Sequence, residues 1–382
     1  MPLEAESAAA ATDATTLHVE VPLSGRGYDA LYGAGLLEQL PRLLSERGIG
    51  GRVVVCSDLH VAALHGERLL TALAAGGAAR PAMWTMAAGE EYKTLTTVEQ
   101  AYEWFAAERV ERGDTVVALG GGVVGDLAGF AAATYLRGVR LVQAPTTLVA
   151  QVDSALGGKV GVDLPSGKNL VGAFHQPALV VADTTVLATL PEREWRAGLA
   201  EVIKHGLIRD RGLIDILIDE RDDVRDRAPR VVARIVARAA AVKVDVVRED
   251  PLERGLRRVL NYGHTLGHAL ERVAGYGVVR HGEAVGWGMA AAARIGEQVG
   301  LCGGEFVRWQ DDLLHSYGLL DAACLPRVTA DDLIAATRLD KKIAGGRISW
   351  ILPRQPGEVV ITADVPDEAV QAGARWLAAQ GT

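Results

Sequence analysis

The chain has 382 residues, 49% of them hydrophobic and 23% charged, which is long enough for two domains around a large core and places it among globular proteins. A net charge of -8 excludes a general phosphate-tracking surface for nucleic acid, so any anionic ligand must be met by a local basic cluster. No apolar run is long enough to span a membrane.

Residues 1–16, MPLEAESAAAATDATT, are acidic and Ala-rich without a basic or apolar leader region. They predict a disordered tail and not a signal peptide, with the cytoplasm as the default location. Cys56, Cys302 and Cys324 form no CxxC pair and are expected to be reduced thiols. From Leu17 the stretch LHVEVPL alternates as a half-buried strand does, and residues 33–44 carry Leu36, Leu37, Leu40 and Leu44 at helical spacing. Residues 52–56, RVVVC, predict a strand that ends at Ser57 and Asp58, where an open α/β sheet offers its loops to ligands. Asp58 there is either a ribose-binding carboxylate or a helix N-cap. A strand at 83–86, the segment GEEYKT and a helix over 94–110 follow.

Residues 115–119, TVVAL, read as a buried strand running into Gly120, Gly121 and Gly122 and an apolar helix over 123–135. A strand, a glycine turn and a helix N-terminus make an anion site, because the backbone can approach closely and free amides face the ligand. GGGVVGD is not the GxGxxG fingerprint, so the turn holds a pyrophosphate or is a tight β-to-α connection. After a strand at 140–144 come Pro145, Thr146 and Thr147. Two Gly-flanked pieces then follow, GGK ending at Lys159 and SGKN ending at Asn169, and they are expected to be loops placing ammonium and amide groups on an oxyanion. Strand signals largely stop after 179–183, and helical patterns take over from Pro191: REWRAGLAEVIKHGLI, residues 231–247 and residues 284–299. The predicted architecture is an α/β domain over 17–190 followed by a helical domain over 191–382.

Residues 260–283, LNYGHTLGHALERVAGYGVVRHGE, hold three of the nine histidines. If 260–273 is helical, His264 and His268 share one face and can present nitrogens to a metal. His281 arrives after a glycine-containing turn. A single histidine is usually a surface or core residue, whereas three in this span point to a metal site without deciding which of them bind.

Six segments, GGGVVGDLAGFAAATYLRG, PTTLVAQVDSALGGKVGVDLPSGKNLVGAFHQP, RAGLAEVIKHGLI, LRRVLNYGHTLGHALE, RHGEAVGWGM and LDKK, together resemble the signature segments of the 3-dehydroquinate synthase family, within the sugar-phosphate cyclase superfamily. The similarity spans nearly all of the chain after the tail. It implies a Rossmann-like NAD-binding N-terminal domain, a helical C-terminal domain carrying a divalent metal, zinc or cobalt, and a site in the cleft between them. Position by position, it implies Glu201, His264 and His281 as metal ligands, leaving His268 to the substrate. NAD contacts are implied for Asp58, Glu90, Lys93, Gly121, Gly122, Asp126, Thr146 and Thr147, and for His60, which stands where the family often has asparagine.

The family substrate, 3-deoxy-D-arabino-heptulosonate 7-phosphate, is anionic at both ends. Lys159, Asn169, His268 and Lys341, with Lys168 beside them, match the phosphate end. Arg257 with Lys243 matches the carboxylate end, and Asp153, Lys204 and Asn261 match the ring. Arg137 matches an arginine that reaches across a dimer interface, implying a homodimer. The implied reaction is transient oxidation by NAD, phosphate elimination, reduction, ring opening and an intramolecular aldol closure, with Lys204, His268 or the departing phosphate moving protons. Sister cyclases making 2-epi-5-epi-valiolone or 2-deoxy-scyllo-inosose act on carboxylate-free substrates and have no use for Lys243, Arg257 and Asn261; an aminodehydroquinate synthase keeps much of that set. A metal-dependent alcohol dehydrogenase is the alternative of another class, and it would accumulate NADH.

Overall fold

The computed structural model describes residues 14–20, 27–77, 81–253, 255–275, 277–338, 343–344 and 347–381. Lys341, expected near the phosphate, lies outside the described residues.

Seven strands build one sheet in the order β1-β2-β9-β6-β5-β3-β4, with β1 (Thr15–Val19), β2 (Tyr28–Gly33), β3 (Val53–Asp58), β4 (Ala82–Met86), β5 (Thr115–Gly120), β6 (Arg140–Pro145) and β9 (Leu179–Asp183). Only β1 runs antiparallel to its neighbour. β5 and β9 are buried along their whole length, as parallel strands covered by helices on both faces must be. Side chains alternate between the two covered faces. Val54, Val116 and Ala118 pack with Phe105 and Leu127, while Val53, Val55, Val117 and Leu119 pack with Leu36, Leu40 and Leu69. From β3 the chain moves out to β4, whereas β5 leads the other way to β6. The crevice is therefore at the carboxyl ends of β3 and β5, where a ligand of an open sheet sits.

The first helix is shorter than its leucine spacing predicts and covers Leu40–Glu46. Gly35 takes a left-handed φ of 69° and Pro41 suits only a first turn, so Leu36 and Leu37 reach the core from a turn instead. The two lysine-bearing pieces are not loops: β7 (Lys159–Leu164) and β8 (Gly167–Phe174) form an antiparallel hairpin. Its alternation is masked by glycines, because Gly161 and Gly172 pair so closely that a Cβ on Gly161 would lie 2.5 Å from the Val171 carbonyl oxygen.

α1 (Gly122–Thr134) follows β5. Beyond Pro191 come α2 (Glu192–Arg209), α3 (Pro229–Glu249), α4 (His264–Ala274) and α5 (His281–Gln298). On α3 the buried stripe runs through Val232, Val236, Ala239 and Val246, and Lys243 lies in that stripe. A lysine inside an apolar seam costs desolvation unless it has a partner, and Lys243 has one in Asp153. Two of the sequence expectations change here. Residues 350–362 form a strand pair, Trp350–Gln355 with Glu358–Thr362, where only helix was expected. The histidine helix begins at His264 and not at residue 260, because Gly263 adopts a left-handed φ of 79° and separates it from a 3-10 turn over Leu256–Asn261. Among the described residues no helix is long and apolar enough to cross a membrane.

Candidate active site

A cleft of about 1220 Å³ opens between the carboxyl ends of the sheet strands and the helices after Pro191. It is larger than a site for one small ligand, which occupies roughly 300–1,000 Å³. On the sheet side it is lined by Asp58, His60, Glu90, Lys93, Gly121, Gly122, Asp126, Thr146 and Thr147, all nine of the residues expected to contact the dinucleotide.

Asp58 takes the capping role as well, since its Oδ1 accepts from the backbone N–H of His60 and of Val61, each at 2.9 Å. The glycine turn has no side-chain cap, so the first amides of α1 are directed at the cleft. A Cβ on Gly121 would meet Thr147 Cγ2 at 2.9 Å, which is why the turn tolerates no side chain. The buried Thr146 hydroxyl has no hydrogen-bond partner. Uncapped amides, a missing Cβ and an orphaned hydroxyl suit a phosphate-bearing cofactor. Lys93 Nζ donates to Asp126 Oδ2 at 2.6 Å and to Asn169 Oδ1 at 2.7 Å, tying the sheet side to the hairpin. Burial pushes the Asp126 carboxyl up to about 6, against the pull of Lys93.

On the helical side, α2, α4 and α5 converge on Glu201, His264 and His281. Glu201 Oε1 stands 3.5 Å from Nε2 of both imidazoles, and the donor atoms of all three residues lie within 4.8 Å of one another. Two ligands about 2.0–2.2 Å from a tetrahedral zinc are separated by little more than 3 Å, so the spacing fits an ion of that size. Glu201 is buried, and neither carboxylate oxygen makes a hydrogen bond, although Lys204 Nζ forms an ion pair with Oε2. Burial alone would raise the Glu201 carboxyl, but the Lys204 ammonium, with His281, outweighs it and holds the group well below the usual carboxylate range. An anionic carboxylate, paired with Lys204 and facing two imidazoles, is a donor set that could hold a divalent ion and leave coordination positions open. His264 Nδ1 lies 3.1 Å from the Tyr262 carbonyl oxygen, and His281 Nδ1 lies 3.3 Å from Glu271 Oε2. His268 sits one turn after His264, their rings 5.2 Å apart, and lines the cleft.

The remaining expected residues divide into wall and layer behind it. Asp153, Lys159, Lys168, Asn169 and Asn261 line the cleft with His268, while Lys204, Lys243 and Arg257 are buried behind the lining. Lys243 Nζ donates to Asp153 Oδ1 at 2.7 Å. Burial foremost, with Arg257 and Lys204 adding repulsion against the Asp153 attraction, brings the Lys243 ammonium down to about 8. Asp153 also moves down: burial would raise it, but Lys243 and Lys204 hold it well below the usual range. Lys168 pairs with Glu90 at 3.5 Å. Arg137 is exposed on the surface away from the cleft lining, with a left-handed φ of 64° next to Leu136 at 49°.

Three further residues had no sequence signal of their own. Glu253 pairs with Lys159 and accepts from Asn261 Nδ2 at 3.1 Å, so a carboxylate already rests on two of the residues expected to hold substrate. It lies in a non-periodic turn, where hydrophobic pattern is uninformative. Glu271 stands behind His281. His205, fully buried with neither ring nitrogen hydrogen-bonded and its Nε2 3.8 Å from Asp153 Oδ1, is brought down to about 3 by burial and then by Lys204, so it is neutral.

Comparison with known proteins sets this geometry in a family. Residues 83–197 match the family model described as 3-dehydroquinate synthase N-terminal, and residues 198–343 match 3-dehydroquinate synthase C-terminal. A curated relative from Nostoc punctiforme, a 3-dehydroquinate synthase, is 44% identical over 92% of this chain and 97% of its own. Among solved structures, 2-deoxy-scyllo-inosose synthase complexed with carbaglucose-6-phosphate, NAD+ and Co2+ superposes with a TM-score of 0.84 at 29% identity, over 95% of this chain and 100% of that one. The 2-epi-5-epi-valiolone synthase of Streptomyces hygroscopicus subsp. jinggangensis, with NAD+ and Zn2+ bound, also has a TM-score of 0.84, at 30% identity over 92% of this chain and 97% of that one. Matched along both halves and related to a curated member over almost its whole length, the chain belongs to the 3-dehydroquinate synthase family.

Proposed function

We propose that this chain is a lyase that converts 3-deoxy-D-arabino-heptulosonate 7-phosphate to 3-dehydroquinate and phosphate, using bound NAD and a divalent metal, zinc or cobalt. The observation that carries the choice of substrate is the pair of buried cations, Lys243 and Arg257, together with Asn261 at the cleft wall, a set that sister cyclases acting on carboxylate-free sugars would have no reason to keep. A guanidinium suits a carboxylate because it can donate two parallel hydrogen bonds. We place the domain boundary near Leu190 and the working protein in the cytoplasm as a homodimer. The unpaired thiols of Cys56 and Cys302 accord with a reducing compartment.

In this reading Glu201, His264 and His281 hold the metal, and the glycine turn with Asp58, Thr146 and Lys93 seats the cofactor. When bound, the two groups supply reversible hydride acceptance and charge neutralisation at the reacting oxygens. The chain's own work is to position and to move protons. Arg257 and Lys243 orient the acid end, Lys159 and Asn169 the phosphate end, and Glu253 must yield Lys159 for that to happen. Lys204 Nζ, held against Glu201 Oε2, and His268 at the cleft wall are the proton carriers within reach of the ring. Burial of Lys204, Lys243 and Arg257 keeps water from competing for these contacts.

The test is product identification by mass from the heptulosonate phosphate, its amino analogue and sedoheptulose 7-phosphate, with nicotinamide absorbance followed in parallel. Absorbance is expected to stay flat while phosphate appears; NADH rising in step with product would mean a dehydrogenase. A pH profile adds a second check. Lys243 is charged below about 8 and loses its proton above it, so kcat/KM for the acid should fall on the alkaline side by up to about tenfold per pH unit. Lys243→Arg should remove that limb; a profile flat to pH 9.5 would deny the ammonium a part in binding.

The homodimer rests on Arg137, exposed and held in strained left-handed backbone beside Leu136. Arg137→Ala is expected to lose activity as a pure protein and to regain some when mixed with Lys159→Ala, through hybrid sites. Light scattering that finds an active monomer would place Arg137 outside any shared site.

A further inference from the structure

We infer that Glu271 is a positioning residue of the metal site, accepting the Nδ1–H of His281 and thereby fixing Nε2 as the nitrogen presented beside Glu201 and His264. The inference rests on the metal assignment proposed above and goes one layer beyond it. On α4, Glu271 follows His264 by seven residues and His268 by three, so all three stand on the helix face turned toward His281 at the start of α5. Its Oε2 lies 3.3 Å from His281 Nδ1, and on the far side of the same ring Nε2 lies 3.5 Å from Glu201 Oε1. The ring is thus held between an outer and an inner carboxylate.

The two imidazoles are anchored differently, and their packing explains why. His264 has a side chain only 10% exposed and leans its Nδ1 on a neutral carbonyl, that of Tyr262. His281 has a side chain 39% exposed at the cleft wall, so packing constrains its ring less than that of His264. It is this looser ring that receives a charged acceptor, and a charge-assisted hydrogen bond is about twice as strong as a neutral one. Glu271 is buried, so its carboxylate needs a fixed partner in return. His268 and Lys168 are its other neighbours among the basic side chains. An outer partner of this kind sets the tautomer and raises the basicity of a ligating histidine.

A rival arrangement exists, because donor atoms of His268, Glu271 and His281 also lie within 4.8 Å of one another, and there Glu271 would itself be a ligand. Zinc affinity by competition with a chelating indicator, and the visible bands of the Co(II)-substituted protein, separate the two. In the full chain, Glu271→Ala is expected to weaken zinc binding by about 10–100-fold. Glu271→Gln, whose amide oxygen still accepts from Nδ1, should weaken it several-fold less and shift the Co(II) bands without losing them. Equal losses in Glu271→Gln and His281→Ala would make Glu271 a ligand and overturn the positioning role. Full affinity in Glu271→Ala, alongside metal loss in His281→Ala, would overturn it alone. Full metal content in His281→Ala would take down the ligand assignment first and this inference with it. Should Glu271→Ala fail to fold, the nearly isosteric Glu271→Gln decides: zinc affinity and Co(II) bands both unchanged would refute the role.

Discussion

His264→Ala and His281→Ala are each expected to lose the bound divalent metal and to cut turnover by about a thousandfold or more. Each substitution leaves Glu201 facing one imidazole where two stood 3.5 Å away, and an open site with a single nitrogen and a carboxylate holds zinc poorly. The metal's stabilisation of developing oxygen charge is worth several kcal/mol, and every 1.36 kcal/mol is a factor of ten in rate. Glu201→Gln should act similarly for a second reason, since it removes the anion from the buried Lys204 ammonium. Elemental analysis of the purified variants, read with turnover, is the measurement. Undiminished metal in both histidine variants would remove these residues from the centre whatever their activity.

The second large effect concerns substrate choice at Arg257. The guanidinium is 1% exposed, donates Nη1 to the Pro251 carbonyl oxygen at 2.8 Å, and is near enough to Gly157 that a Cβ there would lie 2.6 Å from Nη2. It is a fixed, buried cation, and a sugar phosphate without an acid group leaves it unanswered at a cost of one or two charged hydrogen bonds. Preference for 3-deoxy-D-arabino-heptulosonate 7-phosphate over sedoheptulose 7-phosphate is therefore expected to be roughly a hundredfold or more in kcat/KM. Arg257→Leu should lose most of that preference, chiefly by losing activity on the acid, with some turnover surviving through Lys243. Equal or better use of sedoheptulose 7-phosphate by the unmodified protein would overturn the dehydroquinate assignment and leave fold, NAD and metal standing.

The sequence by itself determined what local pattern can determine. Runs such as TVVAL and VVVC read as buried strands, the glycines after β5 read as a pyrophosphate-holding turn or a tight connection, and a helix there puts His264 and His268 on one face. The family resemblance followed from long continuous segments, and it pointed to Glu201, which periodicity could not distinguish from other carboxylates on helices. What only the tertiary structure decided is what depends on elements distant in the chain. α2, α4 and α5 bring Glu201 to within 3.5 Å of two imidazoles, and Lys93 bridges Asp126 on α1 to Asn169 on the hairpin. The same holds for misread local structure. Gly263 delays the histidine helix to His264 because its left-handed backbone ends the preceding turn, and Gly161 with Gly172 hides a hairpin because close backbone approach leaves no alternating side chains to read. Glu253 and Glu271 gave no signal because a carboxylate's role is set by the cation or imidazole that packing brings to it, and a chain's pattern of apolar residues records burial, not partners.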